Sequence, residues 1–343
     1  VNNKILNVTK VNGRMPVADP FIIGVYHYEL YPKSNGKMGV DPSLLGGKTL
    51  GNDFDPNAKW RMYHGTSIPG FPHHPHRGFE IVTVVENGYA DHFDSQGSKG
   101  RYGKGDVQLM SAGSGILHGE MFPLLNDTEE NPFQLFQIWV NLPGKDKLTA
   151  PQYKMLWNET IPVAKLTSEN GGTVSVKVIV GNYGGVQAIE PLPHSWAKDP
   201  NHHMGVALVS MEPGTEFKLD AVNPEMKRYV LMYEGNGVAT VENQDITNSY
   251  FVELVGDQSI TIKNGNEATK LLVLEGMPIN EPVAAYGPFV MNTEEELHEA
   301  FSEYRSTQFG GWPWGSEETD AVNPKEMGRF ASYNFGKTID KPQ

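Results

Sequence analysis

The chain has 343 residues, no cysteine, and 28 Lys+Arg against 41 Asp+Glu, for a formal charge of −13 at pH 7. The missing cysteines exclude disulfide scaffolds, zinc ribbons, thiol nucleophiles and iron–sulfur clusters, so any metal must be held by histidines and carboxylates. The acidic balance, with no basic run, argues against direct nucleic-acid binding, while 38% hydrophobic and 20% charged residues suit a globular chain of about two domains.

The start, Val1-Asn2-Asn3-Lys4, lacks a basic stretch followed by an apolar one, and no segment reaches the roughly 18 apolar residues of a membrane helix. A cytoplasmic chain without a membrane partner is expected. Short β-branched runs separated by glycine and proline read as all-β. Strands are predicted over 79–86 (FEIVTVVE), 133–140 (FQLFQIWV), 173–180 (TVSVKVIV), 228–233 (RYVLMY), 250–255 (YFVELV), 259–263 (SITIK) and 270–274 (KLLVL). Laid together, the halves repeat: Gly88 matches Gly237 and Gly105 matches Gly256, offsets of 149 and 151 residues. The predicted organisation is an N-terminal segment 1–17, a first β unit 18–145, a linker 146–174, a second β unit 175–282, and a tail 283–343. In that tail Thr293 and Glu296 form a capping-box pattern, with Leu297, Ala300, Phe301 and Tyr304 at helical spacing. The Trp-containing stretch after it, around Trp312 and Trp314, reads as an ordered irregular arm.

Four of the 11 histidines fall in one window: His64, His73, His74 and His76. In His74-Pro75-His76 an i, i+2 pair on an extended segment points both imidazoles to one face, and His118-Gly119-Glu120 repeats that spacing with a histidine and a carboxylate. A lone His-x-His in a β protein is more often a surface feature. Two such pairs, the second entered through the glycine-rich turn 103–115, make a three-histidine, one-glutamate set that leaves up to two positions open on a six-coordinate ion.

The segments His74-Pro75-His76-Arg77-Gly78-Phe79-Glu80, Gly105-Asp106-Val107-Gln108 and Ser111-Ala112-Gly113-Ser114-Gly115-Ile116-Leu117-His118-Gly119-Glu120-Met121 closely resemble the two metal motifs of the pirin family of bicupins. Asp19-Pro20-Phe21, Ala150-Pro151-Gln152-Tyr153 and Tyr286-Gly287-Pro288-Phe289-Val290-Met291-Asn292-Thr293 extend the likeness over most of residues 18–308. The resemblance implies two tandem cupin-type β-barrels, the first holding a metal, usually iron, on His74, His76, His118 and Glu120. A longer stretch before His74, with Tyr26, His27, Tyr28, Tyr31 and Trp60, and the Trp-containing arm resemble a larger bacterial subgroup.

Carried across the repeat, His74 and His76 fall opposite Asn223 and Glu225, and His118 and Glu120 opposite Thr269 and Leu271. The second barrel is therefore expected to be structural, and His202 and His203 are read as surface residues. Glu80 is spaced like a cupin carboxylate, but the resemblance puts the ligand at Glu120, so Glu80 is read as lying behind the ligands or facing outward. Arg77 is read equally as a partner for a carboxylate or substrate anion and as a brace for its loop. Gly113-Ser114-Gly115 lacks the third glycine of a dinucleotide loop, and His298-Glu299 lacks the second histidine of a zincin helix.

What the resemblance implies is ring-cleaving dioxygenation of a flavonol such as quercetin. The partners are then a phenolic small molecule and O2, and the cofactor is one divalent ion. Fe(II) is expected, with Mn, Ni, Cu or Zn left open because the bound metal depends on supply as well as ligands. Glu120 would also act as catalytic base toward the incoming hydroxyl. The rival reading is a metal-binding regulatory protein without turnover that meets a protein partner, as animal pirins look like nuclear co-regulators. A cupin isomerase using zinc or manganese is the third. An apolar, substrate-sized cavity at His74 and His118 favours the enzyme, a sealed site regulation.

Overall fold

Every predicted run lies in a sheet, several of them with alternating apolar and polar residues. In the computed structural model, which describes residues 3–343, the runs become the strands Phe79–Asn87, Asn131–Asn141, Thr173–Val180, Lys227–Glu234, Tyr250–Leu254, Ile260–Asn264 and Thr269–Gly276. Among the described residues there is one α-helix, Glu294–Thr307, and no helix is long and apolar enough to cross a membrane.

The chain divides into two compact units. One joins the chain up to Ile23 with Thr160–Asn280, the other Gly24–Glu159 with Glu281–Gln343. The pieces that the sequence suggests as a separate N-terminal segment, linker and tail are thus built into units. Strand Ile5–Lys10 pairs antiparallel with Tyr250–Leu254, and Val163–Thr167 pairs with Thr173–Val180, because an open sheet edge offers unpaired backbone groups that a neighbouring extended segment satisfies.

The unit containing Thr160–Asn280 has a seven-stranded and a four-stranded sheet around an aliphatic core that includes Val176, Val209, Val230, Met232 and Ile262. Leu271 lies in that core, and Thr269 donates its hydroxyl to Asn264 Oδ1 at 2.9 Å. By pairing, however, Thr269–Gly276 corresponds to Asn131–Asn141, so the constant offset misplaces the counterparts of His118 and Glu120; they fall on Ile260–Asn264, whose partner Glu216–Leu219 corresponds to the strand of His74 and His76, and neither segment carries a histidine.

The other unit carries the histidine motifs. Its strands are β1 (Phe21–Tyr31, in this unit from Gly24), β2 (Gly70–His76), β3 (Phe79–Asn87), β4 (Tyr89–Asp94), β5 (Lys99–Gly103), β6 (Asp106–Ser111), β7 (Ile116–Met121), β8 (Asn131–Asn141) and β9 (Gln152–Leu156). One sheet runs β9-β6-β3-β8-β1, and the other contains β5-β4-β7-β2 with β2 at its edge. Pro72 and Pro75 lie on β2, where an edge strand tolerates their missing N–H groups. A register shift between Phe71 and His74 sets His74 directly opposite His118, while on the other side of β7 Asp94 faces His118 and His92 faces Glu120.

The helix (α1) starts as expected, with Thr293 and Glu296 forming a reciprocal capping box, and it buries Leu297 and Ala300 against Phe289 and Met291. The arm is more regular than its composition suggests. Phe330–Tyr333 (β10) pairs with β5, and Thr338–Asp340 (β11) pairs with β10. Trp314 Nε1 donates to Asp94 O at 2.8 Å, so its polar edge has a partner as its apolar face is covered.

Candidate metal centre

Period-two geometry on β2 and β7, together with the His74–His118 register, sends three imidazoles to one point. Ring centroids lie 4.7 Å apart for His74 and His76, 4.5 Å for His74 and His118, and 4.9 Å for His76 and His118. One nitrogen from each falls within 4.8 Å of the others.

Hydrogen bonding fixes which nitrogens are bare. His74 Nδ1 lies 2.8 Å from Pro72 O and His76 Nδ1 lies 3.2 Å from Pro288 O. A carbonyl only accepts, so each Nδ1 carries the proton and each Nε2 keeps a free lone pair. Among the described residues neither ring nitrogen of His118 finds a hydrogen-bond partner, though the residue is fully buried. Burial first, then the neighbouring imidazoles, pushes His118 and His76 well below the usual histidine range, and burial pushes His74 down to about 4. Three neutral rings with lone pairs converging in a buried site form an orphaned donor set. Such a set fits a divalent cation, with backbone carbonyls orienting two of the ligands. This triad can hold one metal ion.

Glu120 sits beside the triad, its Oε2 3.5 Å from His118 Nε2, and its Oε1 accepts from Gln137 Nε2 at 2.9 Å. Burial raises its carboxyl to about 7 against the opposing pull of His92 and Gln137. Gln137 is in turn anchored, because Trp139 Nε1 donates to its Oε1 at 3.0 Å. Behind β7, the buried His92 contacts Asp94 Oδ2 at 2.8 Å, with its ring 5.6 Å from that of His118. Gln137, Trp139 and His92 escape sequence reasoning because nothing near them in the chain marks them. Only the β4–β7 register and the face of β8 bring them in.

Arg77 turns away from the triad and braces its loop. Its Nε donates to Ser114 O at 2.6 Å, its Nη2 reaches Glu303 Oε2 on α1 at 2.6 Å, and its guanidinium lies 4.8 Å over the Phe309 ring. Glu80 is buried on β3 opposite Ser111 and Val140. Its neighbour Phe79 contacts His76 and Trp139, so alternation directs Glu80 to the other face. His202 stacks on Trp196 with 3.3 Å between centroids and bonds Trp196 O through Nδ1, and His203 is exposed.

A cavity of about 550 Å³ reaches His74, His76 and Glu120, with Phe71, Phe122, Leu135 and Trp139 supplying apolar wall. The exposed residues His64, His73 and Gly287 also line it, so it meets solvent there. The size and lining suit a small aromatic molecule.

Comparison with known proteins agrees with this arrangement. The Pirin family model matches residues 48–140 and the Pirin C-terminal cupin domain matches residues 206–310. Pirin-1 of Arabidopsis thaliana is 37% identical over 280 residues, covering 80% of this chain and 88% of its own. A pirin-like protein of Caulobacter vibrioides is 35% identical over 282 residues, covering 81% and 95%. A crystal structure of quercetin 2,3-dioxygenase from Acinetobacter baumannii superposes with a TM-score of 0.68 at 26% identity, over 90% of this chain and 98% of that one. With two β-rich domains of the cupin type and sequence identity over most of its length, the chain belongs to the pirin family.

Proposed function

We propose that this chain is a metal-dependent dioxygenase that opens the ring of a flavonol of the quercetin type with O2. The observation that carries the proposal is the convergence of three bare imidazole nitrogens beside an apolar-walled cavity of about 550 Å³ that His74 and His76 line. His74, His76 and His118 would hold the ion, Fe(II) in our assignment, with Glu120 adding one negative charge. When bound, the ion supplies a Lewis-acid and redox-active centre able to bring a phenolate and O2 together.

The chain's own residues do the rest. Pro72 and Pro288 carbonyls orient His74 and His76, while Gln137 holds Glu120 toward His118. Phe71, Phe122, Leu135 and Trp139 exclude water from a flat aromatic guest. The quercetin 2,3-dioxygenase structure supports this substrate class. The cavity's opening to solvent favours turnover over a purely regulatory role, for which a sealed centre would be enough. The test is anaerobic reconstitution with iron, followed by oxygen-uptake measurements across flavonols and catechols. Uptake tied to substrate loss is expected, and no uptake with any member at full iron occupancy rejects the reading.

A further inference from the structure

One wall of the cavity carries a polar device that the metal centre does not use. On β1, alternation puts His27, Glu29 and Tyr31 on one face, and His27 lines the same cavity as His74, His76 and Glu120. Tyr63 is buried beside it with φ of 56°, a left-handed backbone rare for an aromatic residue and one that the surrounding structure must hold in place.

The hydrogen bonds run in one direction. Glu29, fully buried, accepts from Arg61 N–H at 3.0 Å through Oε2, and the Arg61 guanidinium lies 3.5 Å from Oε1. Above about pH 7, where Glu29 is ionised, its carboxylate only accepts, and Tyr63 gives its single hydroxyl proton to Glu29 Oε1. The Tyr63 oxygen is then left to accept, and His27 Nδ1 lies 2.5 Å from it. His27 must therefore carry its proton on Nδ1, which leaves Nε2 as the ring nitrogen available to the cavity.

We propose that His27 reads a hydroxyl of the bound molecule: Nε2 accepts its hydrogen bond, and Tyr63 with Glu29 locks the tautomer that makes this possible. Burial and the Arg61 charge hold His27 down to about 4, so the ring is neutral, and an acceptor, at neutral pH. A hydroxyl placed there gains a partner, while an ether or carbonyl oxygen meets a lone pair and loses its own hydration without replacement. The inference rests on the phenolic reading above and deepens it by naming a specificity residue outside the metal ligands.

Zn(II)-loaded protein, which keeps the site filled without turnover, is titrated with quercetin and a series of its analogues each lacking one ring hydroxyl. In the wild type, removal of one particular hydroxyl is expected to weaken binding about tenfold, and in His27→Phe that difference disappears while the deoxy analogue binds as before. Tyr63→Phe reduces the discrimination without removing the ring, and it remains informative if His27→Phe fails to fold. Imidazole ¹⁵N shifts of the wild type, recorded with the binding series above the Glu29 titration near pH 7, should report the Nδ1–H tautomer at His27. An Nε2–H tautomer, or the same hydroxyl discrimination in His27→Phe as in the wild type, overturns the inference and leaves the phenolic reading standing. No binding of any member to the wild type overturns both.

Discussion

His118 shows what the centre asks of single residues. A buried imidazole with no hydrogen bond at either nitrogen loses its hydration without replacement, unless a cation takes the lone pair. Substituting a ligand should therefore act on metal content before it acts on fold. His76→Ala and Glu120→Ala are each expected to lower bound metal about tenfold or more by elemental analysis, whereas His202→Ala, which removes a ring stacked on Trp196, leaves it unchanged. Equal loss from all three would contradict a single site. Glu29 supplies a separate test by pH. Burial raises its carboxyl from 4.5 to about 7, against the donors Tyr63 and Arg61. The folded state therefore holds the proton more tightly than the unfolded one. Its contribution to stability is complete below about pH 4.5 and is withdrawn as pH rises through about 7, on the order of 3 kcal/mol in all. Glu29→Gln cannot titrate, so its urea midpoint should fall less across that window than the wild type's. Parallel pH profiles would refute the assignment.

At the scale of elements, the ligand strand is built from residues that strands usually avoid. Its two prolines hide β2 from a propensity reading, yet the edge position makes them harmless, and the shift between Phe71 and His74 aligns His74 with His118. The i, i+2 ligand pairs were legible because side-chain alternation is local. The facing of β2 and β7 was not, because register is a property of two strands. The same limit hid His27: His27-x-Glu29-x-Tyr31 alternates plainly, but only its neighbour Tyr63, distant in the chain, shows what the face is for. Gly78 ties β2 to the segment after the second unit. It has φ of 90°, a Cβ there would meet Val290 O at 1.9 Å, and Lys147 Nζ donates to both Gly78 O (2.8 Å) and Val290 O (3.0 Å). Pro288, two residues before Val290, presents the carbonyl that orients His76. Gly78→Ala should therefore lower both the urea midpoint and the metal content. Gly287→Ala has positive φ but open space around its Cβ, so it should cost only about 1 kcal/mol and leave metal content unchanged. Equal effects of the two substitutions on metal content would show that the 286–293 segment does not position the site.

At the scale of the molecule, the two halves repeat a strand plan but fill it differently. In the second unit Ile260 and Ile262, on the strand that corresponds to β7, join an aliphatic core, whereas the first keeps its interior for the histidine triad and a cavity. The repeat shows only as a spacing of turn glycines, since Gly88 and Gly105 take positive φ (75° and 93°) and their matches Gly237 and Gly256 do not; the fate of the tail was not visible, since composition says nothing about which edge an arm will join. A buried cation fastens the middle of the arm. Arg101, fully buried, forms a two-pronged pair with Asp91 at 2.7 and 2.8 Å and donates to the carbonyls of Asn323 (2.8 Å), Pro324 (3.0 Å) and Met327 (2.8 Å). Earlier in the arm, Trp312 stacks on His73 with 4.7 Å between centroids, which brings the arm to the cavity rim. Arg101→Met leaves the buried Asp91 carboxylate without its cation, though it still accepts from Asn323 N–H, and should cost about 3–5 kcal/mol. The double variant Arg101→Met with Asp91→Leu removes the stranded charge and should regain much of that loss, but the arm carbonyls still lack their donor. Limited proteolysis then separates the two roles: both variants are expected to be cleaved between 311 and 329 faster than the wild type, even where the double variant melts near it. Wild-type cleavage rates in the double variant would mean that β10 pairing alone holds the arm.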